Sequence, residues 1–212
     1  MSKPLHTEYC KEIGARILVY FISRLANINN LGIIPLLSFY SNHFLRVFIS
    51  TVKKKKTIIH NFSNYGYILH CKSCGYRSSF SDDILQIPKY CPSCKGSKTL
   101  KYAGPLWIGE LHNEDFLRLL LSLNQQQNYI NKKVIDKKLS YALEEIKMPP
   151  FYYNIHKLCQ ELKLPFVPKL DEITMAIEKK KFTASRTHFD NLAIKSNINL
   201  SELKNILFDL SK

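Results

Sequence analysis

Acidic residues are scarce in this chain: 17 Asp and Glu stand against 31 Lys and Arg, leaving a formal charge of +14 over 212 residues. Such an excess points to polyanionic partners. The stretch from Lys53 to Pro150 supplies +8 of it, from 16 basic and 8 acidic residues. Long apolar runs are also missing. The most apolar one, Ile17 to Ile22, lies between Arg16 and Arg24 and is far short of the roughly 18 residues a membrane span needs. No apolar signal core follows a basic start, and His6 and Glu8 fall within the first ten residues. The expectation is a cytoplasmic protein with no membrane partner. There is no low-complexity tract, no G-x-G-x-x-G turn and no β-α-β series, so a complete dinucleotide-type sheet is excluded. Hydrophobic residues make up 45%, enough for one domain or two modest ones.

The most pointed feature present is a pair of C-x-x-C strings. Cys71 and Cys74 are followed, after sixteen residues, by Cys91 and Cys94. This is the spacing of a four-thiolate zinc ribbon, in which each two-residue gap lets one tight turn aim both sulfurs at one ion. Four thiolates fill a tetrahedral ion and leave no open position, so the site would be structural, with zinc ahead of iron. Gly75 and Gly96 suit a chain leaving each turn at a backbone angle that side chains resist. Two disulfides would need an oxidising compartment, and a redox pair would not need a second C-x-x-C. Cys10 and Cys159 stand apart among apolar residues and read as small buried thiols.

Taken in order, Thr7 reads as the cap of a helix with Ile13, Ile17, Phe21 and Leu25 on one face and more apolar residues flanking it. Phe44 to Thr51 is apolar on both faces, like an interior strand of an α/β sheet. Lys53 to Lys56 reads as a solvated loop, and Thr57 to Ser63 is ambiguous between loop and helical turn. Tyr65 to His70 is a strand entering the first knuckle, and Tyr76 to Tyr90 should hold a short hairpin or loop. Strands at Thr99–Ala103 and Pro105–Ile108 break at Gly104-Pro105, with Trp107 in the core. Asn113 caps a helix so rich in leucine that it should be buried. A second helix, near Asn131 to Lys147, turns Ile135, Leu139, Ala142, Leu143 and Ile146 inward. After Pro149-Pro150 come two helices, a strand at Thr183–Phe189 and a closing helix, an arrangement shared with winged-helix modules. The fold class is therefore mixed α/β, an α+β assembly of small units.

Several strings occur in one order: Lys3 to Cys10, Pro35 to Ser38, His43 to Phe48, the two knuckles, Gly104 to Gly109, Pro149 to Tyr153 with His156, Ala184 to Phe189, and Ile194 to Ser196. Together they resemble the C-terminal half of the tRNA guanine-26 N2-dimethyltransferase family. The resemblance implies that residues 1–52 are the tail of a Rossmann-like methyltransferase domain, 53–104 a linker and zinc ribbon, and 105–212 a C-terminal tRNA-binding domain. It also implies S-adenosylmethionine as cofactor and tRNA as substrate. The family's cofactor strands and its Asp-Pro-Tyr-Gly motif have no counterpart here, so no catalytic or cofactor-binding residue is assigned. Asn42-His43-Phe44 stands where the family shows Asp-His-Tyr, and Ile194-Lys-Ser196 where a Thr is common. A complementary N-terminal methyltransferase chain is the expected partner if the gene is split. A broken gene, or a non-catalytic zinc-ribbon nucleic-acid binder, are the alternatives.

Candidates for RNA contact are Arg186, His188 and Phe189 with nearby Lys195, and the helical lysines Lys132 and Lys133, continued by Lys137 and Lys138. Basic groups would hold phosphates and an aromatic ring could stack on a base. In the alternative account Phe189 is core, Arg186 a surface charge, and the lysines a solvated face.

Overall fold

The structure, a computed structural model, describes residues 2–41, 44–81, 87–96 and 98–212. Asn42 and His43, at the departure from the family pattern, lie outside the described residues, as does part of the segment between the knuckles. The elements run α1 (Cys10–Ile28), β1 (Gly32–Ser41), β2 (Phe44–Val52), α2 (Lys55–Ser63), β3 (Tyr65–Cys71), β4 (Arg77–Phe80) and β5 (Leu100–Trp107). They continue with α3 (Glu114–Gln125), α4 (Lys132–Glu144), β6 (Tyr153–Asn154), α5 (Ile155–Glu161), α6 (Leu170–Lys179), β7 (Ala184–Arg186), β8 (Ala193–Ser196) and α7 (Leu200–Leu210). No helix among the described residues is long and apolar enough to cross a membrane.

α1 packs its Ile13, Ala15 and Val19 face onto β1 and β5. Its start differs from expectation: it begins at Cys10 with Tyr9 as cap, and no side chain caps it. Cys10 is exposed rather than buried, because it opens the helix on the side turned from the core. The opposite apolar flank stays uncovered, with Phe21, Leu25 and Ile28 all exposed. Phe44 to Thr51 is not an interior strand. It pairs antiparallel with β1, Gly32 opposite Val52, in a two-stranded ribbon whose second strand alternates between exposed and half-buried residues. One face of that strand packs toward α1 and the other meets solvent, so apolar residues on both faces did not mean burial on both. The four-lysine run is divided: Lys55 opens α2, which resolves the ambiguous segment as helix, and Asn61 locks it to β1. Its Oδ1 accepts from the Ile33 amide at 2.7 Å and its Nδ2 donates to the Ile33 carbonyl at 3.0 Å.

β3 is the middle of a sheet ordered β4-β3-β5, antiparallel throughout. The break expected at Gly104-Pro105 does not occur, and β5 runs through both residues and through the domain boundary expected at 104/105. Gly104 accommodates this at φ 130°, where a Cβ would lie 2.8 Å from the Gly66 carbonyl oxygen. Trp107 is buried as expected, its Nε1 donating to the Glu110 carbonyl at 2.9 Å.

Asn113 caps α3 as its position suggested, accepting from the Phe116 amide at 2.9 Å. Asn113→Ala should therefore cost about 1 kcal/mol in chemical denaturation, the usual loss for an N-cap oxygen. α3 is not buried all round, however. Leu117 enters a small core with Leu37, Leu139 and Ala142, while Leu119 and Leu123 are exposed. The last sixty residues carry their own core, in which Tyr153, Leu158, Ile173, Ile177, Ile194, Leu203 and Leu207 are enclosed by α5, α6 and α7 over a sheet ordered β6-β8-β7. β8, its central strand, had no counterpart in the sequence reading.

Candidate metal centre and nucleic-acid interface

β3 ends at Cys71 and β5 begins at Leu100, its cross-strand partner, so one sheet edge holds both knuckles. Each knuckle closes in the same way. The Gly75 amide donates to the Cys71 carbonyl at 2.8 Å, and the Lys95 amide to the Cys91 carbonyl at 2.9 Å. In the first turn Gly75 takes the left-handed conformation expected of it, φ 71°. In the second that conformation falls on Lys95, φ 61°, and not on Gly96. The sulfurs converge, with Cys71 and Cys94 Sγ 3.7 Å apart and Cys74 and Cys91 Sγ 3.6 Å apart. All four lie within 4.8 Å of one another, and all are free thiols. A zinc ion about 2.3 Å from each sulfur would set tetrahedral edges of about 3.8 Å, so the donor set fits such an ion. Burial pushes the Cys71 thiol up, but the Thr99 hydroxyl and the backbone amides of Cys74 and Ser73 outweigh it and bring it down to about 6. Cys74, in the same turn, is pushed up to about 11 by burial and by the neighbouring Cys91, Cys94 and Cys71 sulfurs, so of these two thiols only Cys71 favours the thiolate a metal takes.

A second cluster of polar groups is buried at the junction of α1, the end of α4 and the β7–β8 segment. Glu145 is its centre. Its Oε1 meets His112 Nε2 at 3.1 Å and His188 Nδ1 in a short contact. Its Oε2 accepts from Thr187 Oγ1 at 2.7 Å and lies 3.4 Å from Lys195 Nζ. Lys195 Nζ also donates to Glu12 Oε1 at 2.6 Å, which accepts from Arg16 as well, at 2.8 and 3.0 Å. Arg16 in turn donates to the carbonyls of Trp107 and Gly109. Burial alone would raise the Glu145 carboxyl; Lys195 first, then His188 and His112, hold it well below the carboxylate range. Burial holds His112 below its usual value, only partly offset by Glu145. The two carboxylates and two cations balance, which is how buried charge is tolerated.

This network corrects the expected RNA contacts. His188, Phe189 and Lys195 are 5%, 2% and 2% exposed, so none of them lies at the surface as a nucleic-acid contact. Phe189 stacks on Tyr152 with centroids 6.4 Å apart, and the other two serve Glu145. Arg186 is half-buried, 3.4 Å from Asp171 and over the Tyr141 ring. Lys132 donates to the Gln125 carbonyl at 2.7 Å, and Lys133 and Lys137 are exposed. Glu12, Arg16, His112 and Glu145 went unnoticed in the sequence. Their one local signal is the four-residue spacing of Glu12 and Arg16, which is also common on solvated helices.

A family model described as N2,N2-dimethylguanosine tRNA methyltransferase matches residues 1–208. The chain belongs to this family. Its similarity to the tRNA (guanine(26)-N(2))-dimethyltransferase of Methanobrevibacter smithii is 36% identity over 210 residues, 99% of this chain and 53% of that protein. With the protein of the same name from Methanosphaera stadtmanae it is 32% over 211 residues, again 53% of the relative. Among solved structures it resembles Trm1 from Pyrococcus horikoshii, reported in complex with S-adenosyl-L-methionine, at TM-score 0.80 and 26% identity, over 97% of this chain and 52% of that one. The chain thus spans about half the length of the relatives it matches. That coverage is a share, and it does not bear out the C-terminal placement drawn from motif order. The complementary partner chain draws no support either, since each of these family members is one polypeptide of about twice the length.

Proposed function

We propose that this chain is the part of a tRNA guanine-26 N2-dimethyltransferase that grips and positions tRNA, braced by a structural zinc ion on Cys71, Cys74, Cys91 and Cys94. The observation that carries the reading is the family match over 1–208 in a chain of net charge +14. In this reading the uncovered flank of α1 packs against a methyltransferase domain, and the ribbon, whose β5 continues past residue 104, braces the segments that meet the RNA. S-adenosylmethionine, in the same reading, is held by a segment other than these small antiparallel sheets of two or three strands. When bound elsewhere in such an enzyme, that cofactor supplies the methyl group. This chain's share is to hold the folded RNA so that a guanine can be presented. Purified chain should bind tRNA, with log K falling by roughly 0.7–0.9 per phosphate contact for each log unit of salt, and should show no heat of S-adenosylmethionine binding. Absence of tRNA binding would sink the reading. Methyl transfer by the chain alone would overturn the assignment of cofactor binding to another segment.

A further inference from the structure

A cleft of about 370 Å³ lies where the start of α1, the end of β1, α4 and the 188–192 loop meet. Two lysines from distant parts of the sequence line it. Lys11 Nζ sits 4.8 Å from the Tyr40 ring centroid and donates to the Phe189 carbonyl at 3.4 Å. Lys138 Nζ sits 4.7 Å from the centroid of Phe39. Both side chains are half-buried, and no carboxylate among the described residues pairs with either. The one acid in the wall, Asp190, is already engaged: its Oδ2 accepts from Asn154 Nδ2 at 2.8 Å and its Oδ1 from the Leu192 amide at 3.0 Å. Burial, and then the Lys11 ammonium, hold Lys138 below the usual lysine range, so the two cations feel each other.

Like charges held together in a concave, partly dry site repel unless an anion lies between them. Aromatic faces beneath each ammonium, one carbonyl and the Asp190 carboxylate in the wall, which forms an ion pair with neither lysine, give only partial compensation. We infer that Lys11 and Lys138 together clamp one stretch of the tRNA phosphodiester backbone in this cleft, across the junction between the first helix and the α3–α4 pair. The inference rests on the tRNA-gripping role proposed above and gives it an address. It also moves that address away from Lys132 and Lys133: of the lysines on α4, Lys138 is the one that faces Lys11.

The test is tRNA affinity against salt for the full chain and three double variants. Two lost phosphate contacts should weaken Lys11→Gln/Lys138→Gln roughly 25- to 60-fold at 0.1 M salt and flatten the log–log slope by roughly 1.4–1.8. Lys11→Arg/Lys138→Arg, which keeps both charges, should bind within a few-fold of wild type and so controls for folding. Lys179→Gln/Lys180→Gln removes the same charge from an exposed helix end and should change little. The clamp is overturned if the Gln pair binds like wild type, or if the 179/180 pair loses as much. It is also overturned if millimolar inorganic phosphate at constant ionic strength displaces tRNA, which marks a free-anion site. Failure of wild-type chain to bind tRNA overturns the proposed function itself, so the two failures are distinguishable.

Discussion

Glu145→Ala is expected to destabilise the chain by about 3–5 kcal/mol, a fall in melting temperature of roughly 6–20 °C for a protein of this size. The carboxylate is the shared acceptor for His112, His188, Thr187 and Lys195, all buried. Removing it leaves a hydroxyl and two imidazoles without their acceptor and Lys195 and Arg16 sharing Glu12 alone, and uncompensated buried charge costs more than the intact pair contributes. Glu145→Gln keeps the shape and should lose less. The same site sets an acid limit. Glu145 titrates lower in the folded than in the unfolded chain, so its contribution is complete above about 4.5 and is lost as pH falls through its depressed value. His112 is likewise depressed, so stability is lost as pH falls below its unfolded value of about 6.5. Urea midpoints should fall for wild type from about pH 6.5 downward through His112, and the further fall below about pH 4.5 should be absent from Glu145→Gln. A flat profile, or an alanine variant as stable as wild type, would show the network to be energetically idle.

Removal of the metal has the other large expected effect. Purified chain should contain one zinc per molecule, and a strong chelator at neutral pH, or Cys91→Ser, should unlock residues 65–107. Structural zinc contributes apparent energies of about 10–16 kcal/mol in zinc-finger peptides, comparable to a whole domain's usual stability. What replaces the metal at this edge is slight: a three-stranded sheet whose β4 has four half-buried residues. Hydrogen exchange should therefore rise across β3, β4 and β5 while the separate core around Ile173, Ile177 and Leu203 stays protected. tRNA affinity should fall with it, because Arg77, in the first knuckle's hairpin, ties the ribbon to the rest. Its guanidinium donates to Glu8 at 2.9 Å and to the Tyr152 carbonyl at 2.7 Å and lies over the rings of Tyr9 and Tyr153. Metal-free protein with unchanged exchange would remove the brace from the proposal.

What was legible in the sequence was local. The C-x-x-C spacing located both knuckles because a two-residue turn is closed by its own backbone. Asn113 was readable as a cap because its partner lies three residues away. Period placed Leu139 and Ala142 inward for the same reason. Where a residue's surroundings depend on distant chain, the reading failed. Apolar faces on β2 and α3 implied burial that the tertiary structure does not supply, since only neighbours from elsewhere can cover a second face. The buried network was invisible for the same cause: Lys195 and Glu12 meet across 183 positions, and His188 and Glu145 across 43.

By itself, then, the sequence determined the four-cysteine cluster, most of the helices and the family, all of which rest on short-range spacing or on the order of strings. The tertiary structure decided which basic residues are available to a polyanion. It withdrew His188 and Lys195 by giving each a buried carboxylate, and it set Lys11 and Lys138 together with no ion-pair partner among the described residues. A lysine paired in the interior and a lysine awaiting a phosphate have the same side chain. Only the partner that folding brings to each tells them apart.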